Sequence, residues 1–333
     1  MGTHSSERQL IESIRKQVDC AAPTLVRGIG DDCAVFMHDS QSLSLMTVDT
    51  LIESVHFDLS WHPPDLLGRK AASVNISDIA AMGGKPRFVL LSLGLSGDQD
   101  DGWVDAFIRG FTAVLDEYGA KLIGGDTVKS PGRIMLSVTV YGEVDADKVL
   151  YRSGAKKDDS VWVSGFLGEA AAGLELCRNP RLRGGAEWQS LVSAHINPSP
   201  QIQLGGLLAA SGLVSAMMDL SDGLATDLAH LCTASNVGAE IVSSRIPVST
   251  QMARAATLLG YSPFDWALKG GEDYHLLFTA PGYADDSLSR LVKDTLGSDI
   301  FCVGRIVEEP GVRLIEEGGA VEIGYQGFDH FSR

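Results

Sequence analysis

Apolar and polar positions follow two rhythms along this chain. Segments in which every second residue is apolar predict strands, and segments with apolar residues three or four positions apart predict helices. The predicted helices cover 7–18, 64–82, 98–118, 168–176, 202–211 and 223–233. The predicted strands cover 33–36, 42–50, 87–95, 120–127, 133–144, 160–164, 216–220, 239–242, part of 270–279, and 300–307. Because both kinds of element recur in both halves, we predict an α/β protein.

A polar, turn-rich segment interrupts this pattern near the middle of the chain. Residues 149–159 contain the sequence RSGAKKDD, which is typical of an exposed connection between packed units. A length of 333 residues also suits two medium-sized domains. We therefore predict one domain over 1–150 and a second over 151–333. We expect the polar stretch 178–190 to form a loop.

The net charge narrows the range of possible ligands. The chain carries a formal charge of −16 at pH 7, and its pI is about 4.8. Nucleic-acid-binding proteins normally present a basic face, so we expect no nucleic-acid partner. An acidic protein that handles phosphates needs cations as intermediaries, and the charge balance is therefore compatible with metal binding.

The cysteines indicate a reducing compartment. They are odd in number, dispersed and free of any CxxC pair, which is typical of free thiols rather than disulfides or a zinc site. The five are Cys20, Cys33, Cys177, Cys232 and Cys302. No apolar run is long enough to span a bilayer, and the first residues lack an apolar signal core. We expect a cytoplasmic protein with no membrane partner.

Carboxylates follow apolar segments at several places in the chain. In the sequence MMDLSDGL an apolar run leads into Asp219 and Asp222, with a glycine directly after them. Asp49 and Asp126 end two other predicted strands, and Asp78 lies in an apolar helix. A carboxylate in apolar surroundings is costly unless a cation neutralises it. We interpret the pattern as carboxylates gathered around Mg²⁺ and the phosphates of a nucleotide.

Glycine-rich turns accompany these acids. The sequence GGDT places Gly125 before Asp126, and similar turns are GIGDD at 28–32 and GGED at 270–273. Such turns leave backbone N–H groups free to approach a metal-bound phosphate. The chain has no Walker A motif, dinucleotide fingerprint, nucleophile elbow or HExxH motif, and its DLSDG does not fit an EF-hand. Metal-bound carboxylates would then take the place of a Walker lysine.

The residues alone leave alternatives open. GIGDD is also compatible with a plain turn, and Asp78 with a polar stripe on the helix surface. A lone histidine such as His56 is more often packed or solvent-exposed than part of a site. The aromatic tail at 324–331 fits packing on the chain's own core better than stacking on a ligand.

The combination of motifs resembles the thiamine-monophosphate kinases, within the superfamily of aminoimidazole ribonucleotide synthetase. The shared motifs are GIGDD, TVDT with a following His, NISDIAAMGG, GGDT, RSGAK, DLSDGL, GGEDY and the closing GFDHF. The resemblance implies a two-domain α/β fold whose N-terminal mixed-sheet domains pair in a homodimer. It also implies that ATP and several Mg²⁺ ions lie in a cleft between the domains. The implied reaction converts thiamine monophosphate and ATP to thiamine diphosphate and ADP.

The resemblance also implies roles for individual residues. The implied Mg²⁺ ligands are Asp32, Thr47, Asp49, Asp78, Asp126, Asp219 and Asp222, of which Asp49, Asp126, Asp219 and Asp222 are the implied catalytic residues. The implied ATP contacts are Gly125, Asp126, Arg152 and Ser221. The implied contacts to thiamine monophosphate are His56, Glu272 and Phe328. Val48 stands where a second hydroxyl residue is expected, so only its backbone carbonyl could serve a metal.

The implied reaction needs no general base. The acceptor is a phosphate monoester with a second pKa near 6, so its attacking oxygen is largely deprotonated at neutral pH. The difficulty is repulsion between two anions, which Mg²⁺ ions would screen while aligning an in-line attack. Arg152 would add a fixed positive charge on the nucleotide side. We therefore hypothesise direct transfer without a phosphoenzyme.

Other functions remain open. Within the superfamily the rivals are aminoimidazole ribonucleotide synthetase, selenide–water dikinase and the hydrogenase-maturation dehydratase. The dikinase reaction needs a reactive cysteine in a glycine-rich N-terminal segment, which Cys20 and Cys33 do not match, and the dehydratase needs a C-terminal cysteine, whereas this chain ends in Phe-Ser-Arg. A non-catalytic nucleotide or metal sensor is a different class, which the many acids disfavour. A metal-storage protein would not explain the glycine pairs.

Overall fold

The computed structural model describes residues 6–18 and 22–331 of the chain. Cys20 lies outside these residues. The helices in the described ranges are α1 (Glu7–Gln17), α2 (Pro64–Ala81), α3 (Asp101–Tyr118), α4 (Glu169–Arg178), α5 (Gln189–Ile196), α6 (Ile202–Ser211), α7 (Leu224–Ser235), α8 (Thr250–Leu259), α9 (Pro263–Lys269) and α10 (Asp285–Leu296). The strands are β1 (Leu25–Arg27), β2 (Ala34–Met37), β3 (Ser42–Ile52), β4 (Lys85–Leu95), β5 (Lys121–Lys129), β6 (Met135–Asp145), β7 (Asp159–Val163), β8 (Ala216–Asp219), β9 (Gly238–Val242), β10 (Leu276–Pro281), β11 (Phe301–Val307), β12 (Gly311–Glu316) and β13 (Gly319–Glu322).

The first half forms a six-stranded mixed sheet in the order β1-β2-β3-β6-β4-β5. Its pairs are antiparallel except for β4 and β5, which run parallel. Alternate residues of β3, among them Leu43 and Leu45, are buried with the apolar residues of α2 and α3. The period-two pattern of the sequence thus has a direct physical cause, because only one face of the sheet is covered by helices.

The other face of this sheet carries apolar side chains in the open. Val48 of β3 is 59% exposed, and Phe88 and Leu90 of β4 are 46% and 44% exposed. Between these strands, Tyr141 of β6 stacks on Phe88 with ring centroids 5.9 Å apart. We call this surface the open face of the N-terminal sheet. Large contiguous apolar surfaces of this kind typically mark interaction sites.

The second half forms a seven-stranded mixed sheet in the order β13-β12-β9-β11-β7-β10-β8. Its pairs are antiparallel except for β9 and β12. Every residue of β7 and β8 is buried, which explains why neither strand alternates apolar with polar residues. The two mixed sheets with their helices confirm the predicted α/β fold. None of the described helices is long and apolar enough to cross a lipid bilayer.

Helix α2 joins the two halves. It packs on β3 and β6 of its own sheet and on α6 and β8 of the second half. A Cβ atom on Gly205 of α6 would lie 2.1 Å from the carbonyl oxygen of Ala80, so glycine is what permits this helix contact. A helix enclosed on both sides is buried almost all round, which accounts for the run of buried residues on both sides of Asn75, polar ones such as Ser73 and Ser77 included.

Some elements differ from the prediction or escaped it. The stretch 178–190 is not all loop, because Trp188 is buried and α5 begins at Gln189. The sequence pattern did not predict α8, α9, α10, β1, β12 or β13, which are short or solvent-exposed along one side. The domain boundary at residue 150 falls in the segment between β6 and β7 and stays a prediction.

Candidate functional site

Three acids from distant parts of the chain converge beside α2. Asp32 lies in the turn before β2, Asp78 in the last turns of α2, and Asp219 at the end of β8. One carboxylate oxygen of each lies within 4.8 Å of the corresponding oxygens of the other two. The acidic triad, as we call these three residues, therefore depends on the junction between the two halves.

Each member of the triad has at least one polar partner. Asp32 Oδ1 accepts hydrogen bonds from Arg152 Nε at 3.0 Å and Nη2 at 2.6 Å. The Thr47 hydroxyl donates to Asp78, and the Ser77 hydroxyl donates to Asp219 Oδ2 at 2.6 Å. These donors hold one oxygen of each carboxylate in place. They leave the remaining oxygens available for another ligand.

The raised pKa values of the triad carboxyls indicate a site that a cation would stabilise. Burial, and then the Asp32 carboxylate, raise the pKa of Asp219 to about 7. Burial, and then Asp49, raise the pKa of Asp78 well above its ordinary value. The buried Oδ2 of Asp32 has no hydrogen-bond partner among the residues that the structure describes. An orphaned oxygen among mutually repelling carboxylates fits a hard divalent ion such as Mg²⁺, which prefers oxygen ligands.

Asp49 borders the triad from the end of β3. Its backbone N–H donates to Asn75 Oδ1 at 2.9 Å. Asp49 as a whole residue is exposed, but its carboxyl group is partly desolvated by neighbouring protein atoms. This desolvation, and then the negative charge of Asp32, raise the pKa of the carboxyl. The preceding Val48 sends its side chain to the open face, so only its backbone can belong to the site. The metal-ligand roles of Asp49 and of the Val48 carbonyl stay predictions.

The loop after β8 carries Ser221 and Asp222. The backbone N–H groups of Asp222 and Gly223 both donate to Asp227 Oδ2 at 3.1 Å. Asp227 is a buried residue of α7, and the sequence analysis missed this role although the acid lies five positions after Asp222. Burial raises the pKa of Asp222 to about 6, and nearby Glu7 adds to this effect. The loop is thus rigid and bordered by acids.

Asp126 and Gly125 lie elsewhere in this chain. Both are exposed residues of β5, at the edge of the N-terminal sheet. Asp126 pairs in register with Ser92 of β4, which points to the open face, and its Oδ1 accepts from the N–H of Thr127 at 2.9 Å. A single chain therefore does not bring Asp126 into the acidic triad. Its metal and nucleotide roles stay predictions.

The three residues expected to contact thiamine monophosphate form a second cluster. His56 follows β3, and its Nδ1 accepts the N–H of Ile52 at 2.9 Å. Its ring lies 5.0 Å from the ring of His330, which in turn meets Phe328 edge-on at 4.9 Å. Phe328 is 48% exposed, so a ring surface remains free. The sequence analysis missed His330, although it lies in the aromatic tail.

Glu272 faces this cluster from the second half of the chain. Its Oε1 lies 2.9 Å from Lys70 Nζ, and its Oε2 lies 3.1 Å from His195 Nδ1. Burial alone would raise the pKa of Glu272, but the Lys70 ammonium and His195 outweigh this effect and hold it well below its usual range. The sequence analysis missed both partners. A lysine inside the apolar helix α2 was a signal for the first, and no signal marks His195.

Two family models match nearly the whole described chain. The model "AIR synthase related protein, N-terminal domain" matches residues 30–144, and the corresponding C-terminal domain model matches residues 156–317. Among solved structures, E. coli HypE, a hydrogenase maturation protein, shares the fold with a TM-score of 0.70 at 21% identity. At that identity the likeness shows the fold alone.

Closer similarity is found to thiamine-monophosphate kinases. The Salmonella typhimurium enzyme is 38% identical over 309 residues, and the Escherichia coli K12 enzyme is 37% identical over 308, each covering 92% of both chains. The structure described as AaThiL complexed with AMPPCP and TMP has a TM-score of 0.85 at 34% identity, covering 98% of this chain and 97% of that one. The Stenotrophomonas maltophilia enzyme has a TM-score of 0.77 at 35% identity, covering 94% and 96%. The chain therefore belongs to the thiamine-monophosphate kinase family.

Proposed function

We propose that this protein transfers the γ-phosphoryl group of ATP to thiamine monophosphate, forming thiamine diphosphate and ADP. The observation that carries the proposal is the match over 98% of the chain to a relative described as complexed with AMPPCP and TMP. The acidic triad and the cluster around His56 supply, in one chain, a phosphate-handling site and a separate ring-binding site. This arrangement suits a kinase whose acceptor carries both a ring system and a phosphate.

The triad would hold Mg²⁺, together with Asp49 and Asp222 at its border. Bound Mg²⁺ supplies charge neutralisation of the phosphates in this class of reaction. Three carboxylates with an unpartnered buried oxygen fit such an ion better than they fit any neutral ligand.

The protein's own groups orient rather than activate the reactants. The acceptor phosphate of thiamine monophosphate attacks the γ-phosphorus of ATP, and the bond to the β,γ-bridging oxygen breaks as ADP leaves. Arg152, fixed by two hydrogen bonds to Asp32 Oδ1, adds positive charge beside the phosphate site. No base is required for an acceptor oxygen that is already ionised. Transfer is then direct, without a phosphoenzyme.

A product assay tests the proposed function. Purified protein is incubated with ATP, Mg²⁺ and one acceptor at a time, and products are separated by chromatography. We expect thiamine diphosphate and ADP in equal amounts with thiamine monophosphate, and no ADP above background with free thiamine, which lacks the acceptor phosphate. Equal ADP release without acceptor would identify an ATPase, and nucleotide binding without any ADP release would identify a non-catalytic sensor. Labelled phosphate trapped on the protein would exclude direct transfer.

We also propose that two copies pair through the open face of the N-terminal sheet. The strand register aligns Val48, Thr139 and Leu90 in one row and Met46, Tyr141 and Phe88 in the next. A sheet face of this composition is normally covered by a second layer. A second copy supplies an identical, self-complementary surface, as in most small oligomers. The predicted absence of nucleic-acid and membrane partners, and the cytoplasmic location, stay predictions.

A charge on the open face is expected to break this dimer. The change Phe88→Glu buries a carboxylate against the partner's apolar surface, so the mass in solution should fall to that of a single chain at micromolar concentration. Light scattering after gel filtration measures the mass. The matched control is Phe166→Glu, which alters a 42% exposed aromatic residue of the second half and should leave the mass unchanged. Equal masses for wild type and Phe88→Glu would contradict pairing through this face.

A further inference from the structure

A fully buried lysine lies behind the proposed thiamine-binding cluster. The side chain of Lys70 is 0% exposed, and its Nζ lies 2.9 Å from Glu272 Oε1. The same Nζ donates to the carbonyl oxygen of His56 at 3.3 Å. Burying an ammonium is costly unless an anion and good hydrogen bonds compensate it. Lys70 thus links two residues expected to contact the substrate, and it does so from inside the protein.

The backbone conformation of Glu272 and a hydrogen bond to Ser221 fix its position. Its backbone has φ of 69°, a left-handed conformation that non-glycine residues rarely adopt. Its N–H donates to the carbonyl oxygen of Ser221 at 2.8 Å, which ties it to the loop after β8. Strained backbone of this kind persists where surrounding contacts over-determine it, and it is common at functional sites.

The carboxylate of Glu272 remains accessible while its partners are not. The Glu272 side chain is 24% exposed, whereas those of Lys70 and His195 are 0% and 2% exposed. One side of the carboxylate therefore faces buried positive charge and the other faces solvent. An ionised carboxylate in this setting would attract a cationic group of a ligand, and the thiazolium ring of thiamine monophosphate carries such a charge.

We propose that Lys70 is a positioning residue for thiamine monophosphate. It keeps Glu272 ionised and aligned without contacting the substrate itself. This inference rests on the proposed function. The competing interpretation is that Lys70 only joins α2 to the second half and contributes to stability alone.

The test compares Lys70→Met with wild type in steady-state assays that vary each substrate separately. Loss of the ammonium should raise the KM for thiamine monophosphate about tenfold or more, because a misaligned or protonated Glu272 weakens binding. The KM for ATP should stay within about twofold, because the acidic triad is untouched. Lys70→Arg keeps the charge and should recover part of the affinity. Lys121→Met, which removes a 68% exposed lysine paired with Asp116, is the control and should change neither KM.

A double variant separates positioning from stability. Lys70→Met/Glu272→Gln should show the same KM for thiamine monophosphate as Glu272→Gln alone, because Lys70 acts through Glu272. A Lys70→Met protein with a lower Tm and unchanged KM values would overturn the proposal, as would fully multiplicative effects in the double variant. Should Lys70→Met fail to fold, the neutral Lys70→Gln serves in its place, and a wild-type KM for thiamine monophosphate in that folded variant would overturn the proposal equally. If wild-type protein makes no thiamine diphosphate, the proposed function fails, and this inference fails with it.

Discussion

Asp219→Asn is expected to lower kcat at least a thousandfold, which corresponds to about 4 kcal/mol of transition-state stabilisation. Asp219 is 3% exposed and offers one of the three triad oxygens. An amide is neutral and a far weaker ligand for Mg²⁺, so charge on the transferring group would lose part of its compensation. The chromatographic assay for thiamine diphosphate measures the loss. Activity within tenfold of wild type would remove Asp219 from the proposed metal site.

A second buried acid provides the matched control for this experiment. Asp159 is 4% exposed, and it accepts hydrogen bonds from the N–H of Lys156 at 2.9 Å and from the Ser215 hydroxyl at 2.6 Å. It belongs to no predicted ligand set. Asp159→Asn should lower the Tm through its lost hydrogen bonds and should leave the kcat of the folded protein nearly unchanged. A general effect of altering buried acids would instead reduce both activities alike.

Removal of divalent metal is expected to abolish product formation and to make stability depend on pH. Burial raises the pKa of Asp219 to about 7 in the folded protein. Between its unfolded value of roughly 4 and this value, the folded state holds a proton that the unfolded state has lost. The metal-free protein therefore loses stability as pH rises through this window, by an amount on the order of a few kcal/mol. Added Mg²⁺ should restore the stability at pH 8.

The measurement compares the unfolding free energies of metal-free wild type and Asp219→Asn between pH 5 and pH 8. The comparison is needed because buried histidines such as His62 have lowered pKa values and favour stability as pH rises towards roughly 6.5. Their contribution is common to both proteins and cancels. The unfolding free energy of Asp219→Asn should increase relative to that of wild type as pH rises, although the variant is the less active protein. A constant difference across the range would contradict a raised pKa at Asp219.

The sites of two triad acids could be foreseen from the sequence because Asp78 and Asp219 lie in apolar segments, whereas Asp32 was implied only by the resemblance that includes GIGDD. Asp219 ends a fully buried strand, and Asp78 lies in a helix without a polar stripe, so both needed a neutralising partner. The position of Asp126 could not be foreseen in the same way. Its strand pairs in parallel with β4 at the sheet edge, and that register sends its side chain to the open face.

The partners of Glu272 could not be predicted from the sequence, for a different reason. Lys70 and His195 come from helices on either side of it in space, and their sequence distances from Glu272 carry no periodic signal. Only the packing of α2 against the second half brings them together. Helix α5 escaped prediction for a different reason, because its eight residues, with Leu191, Val192 and His195 buried, give too short a pattern to stand out from the polar stretch before it.

The close contact between Gly205 and Ala80 has a consequence for turnover. Packing without an intervening side chain resists sliding of α6 against α2, so we expect the two halves to move little relative to each other during substrate exchange. The larger motion is expected in α1 and in the tail at 324–331. Helix α1 has no buried residue and meets the tail through the N–H of Glu7, which donates to Asp329, and through Arg8 over the Tyr325 ring. We therefore expect product release to be governed by these two segments at the rim.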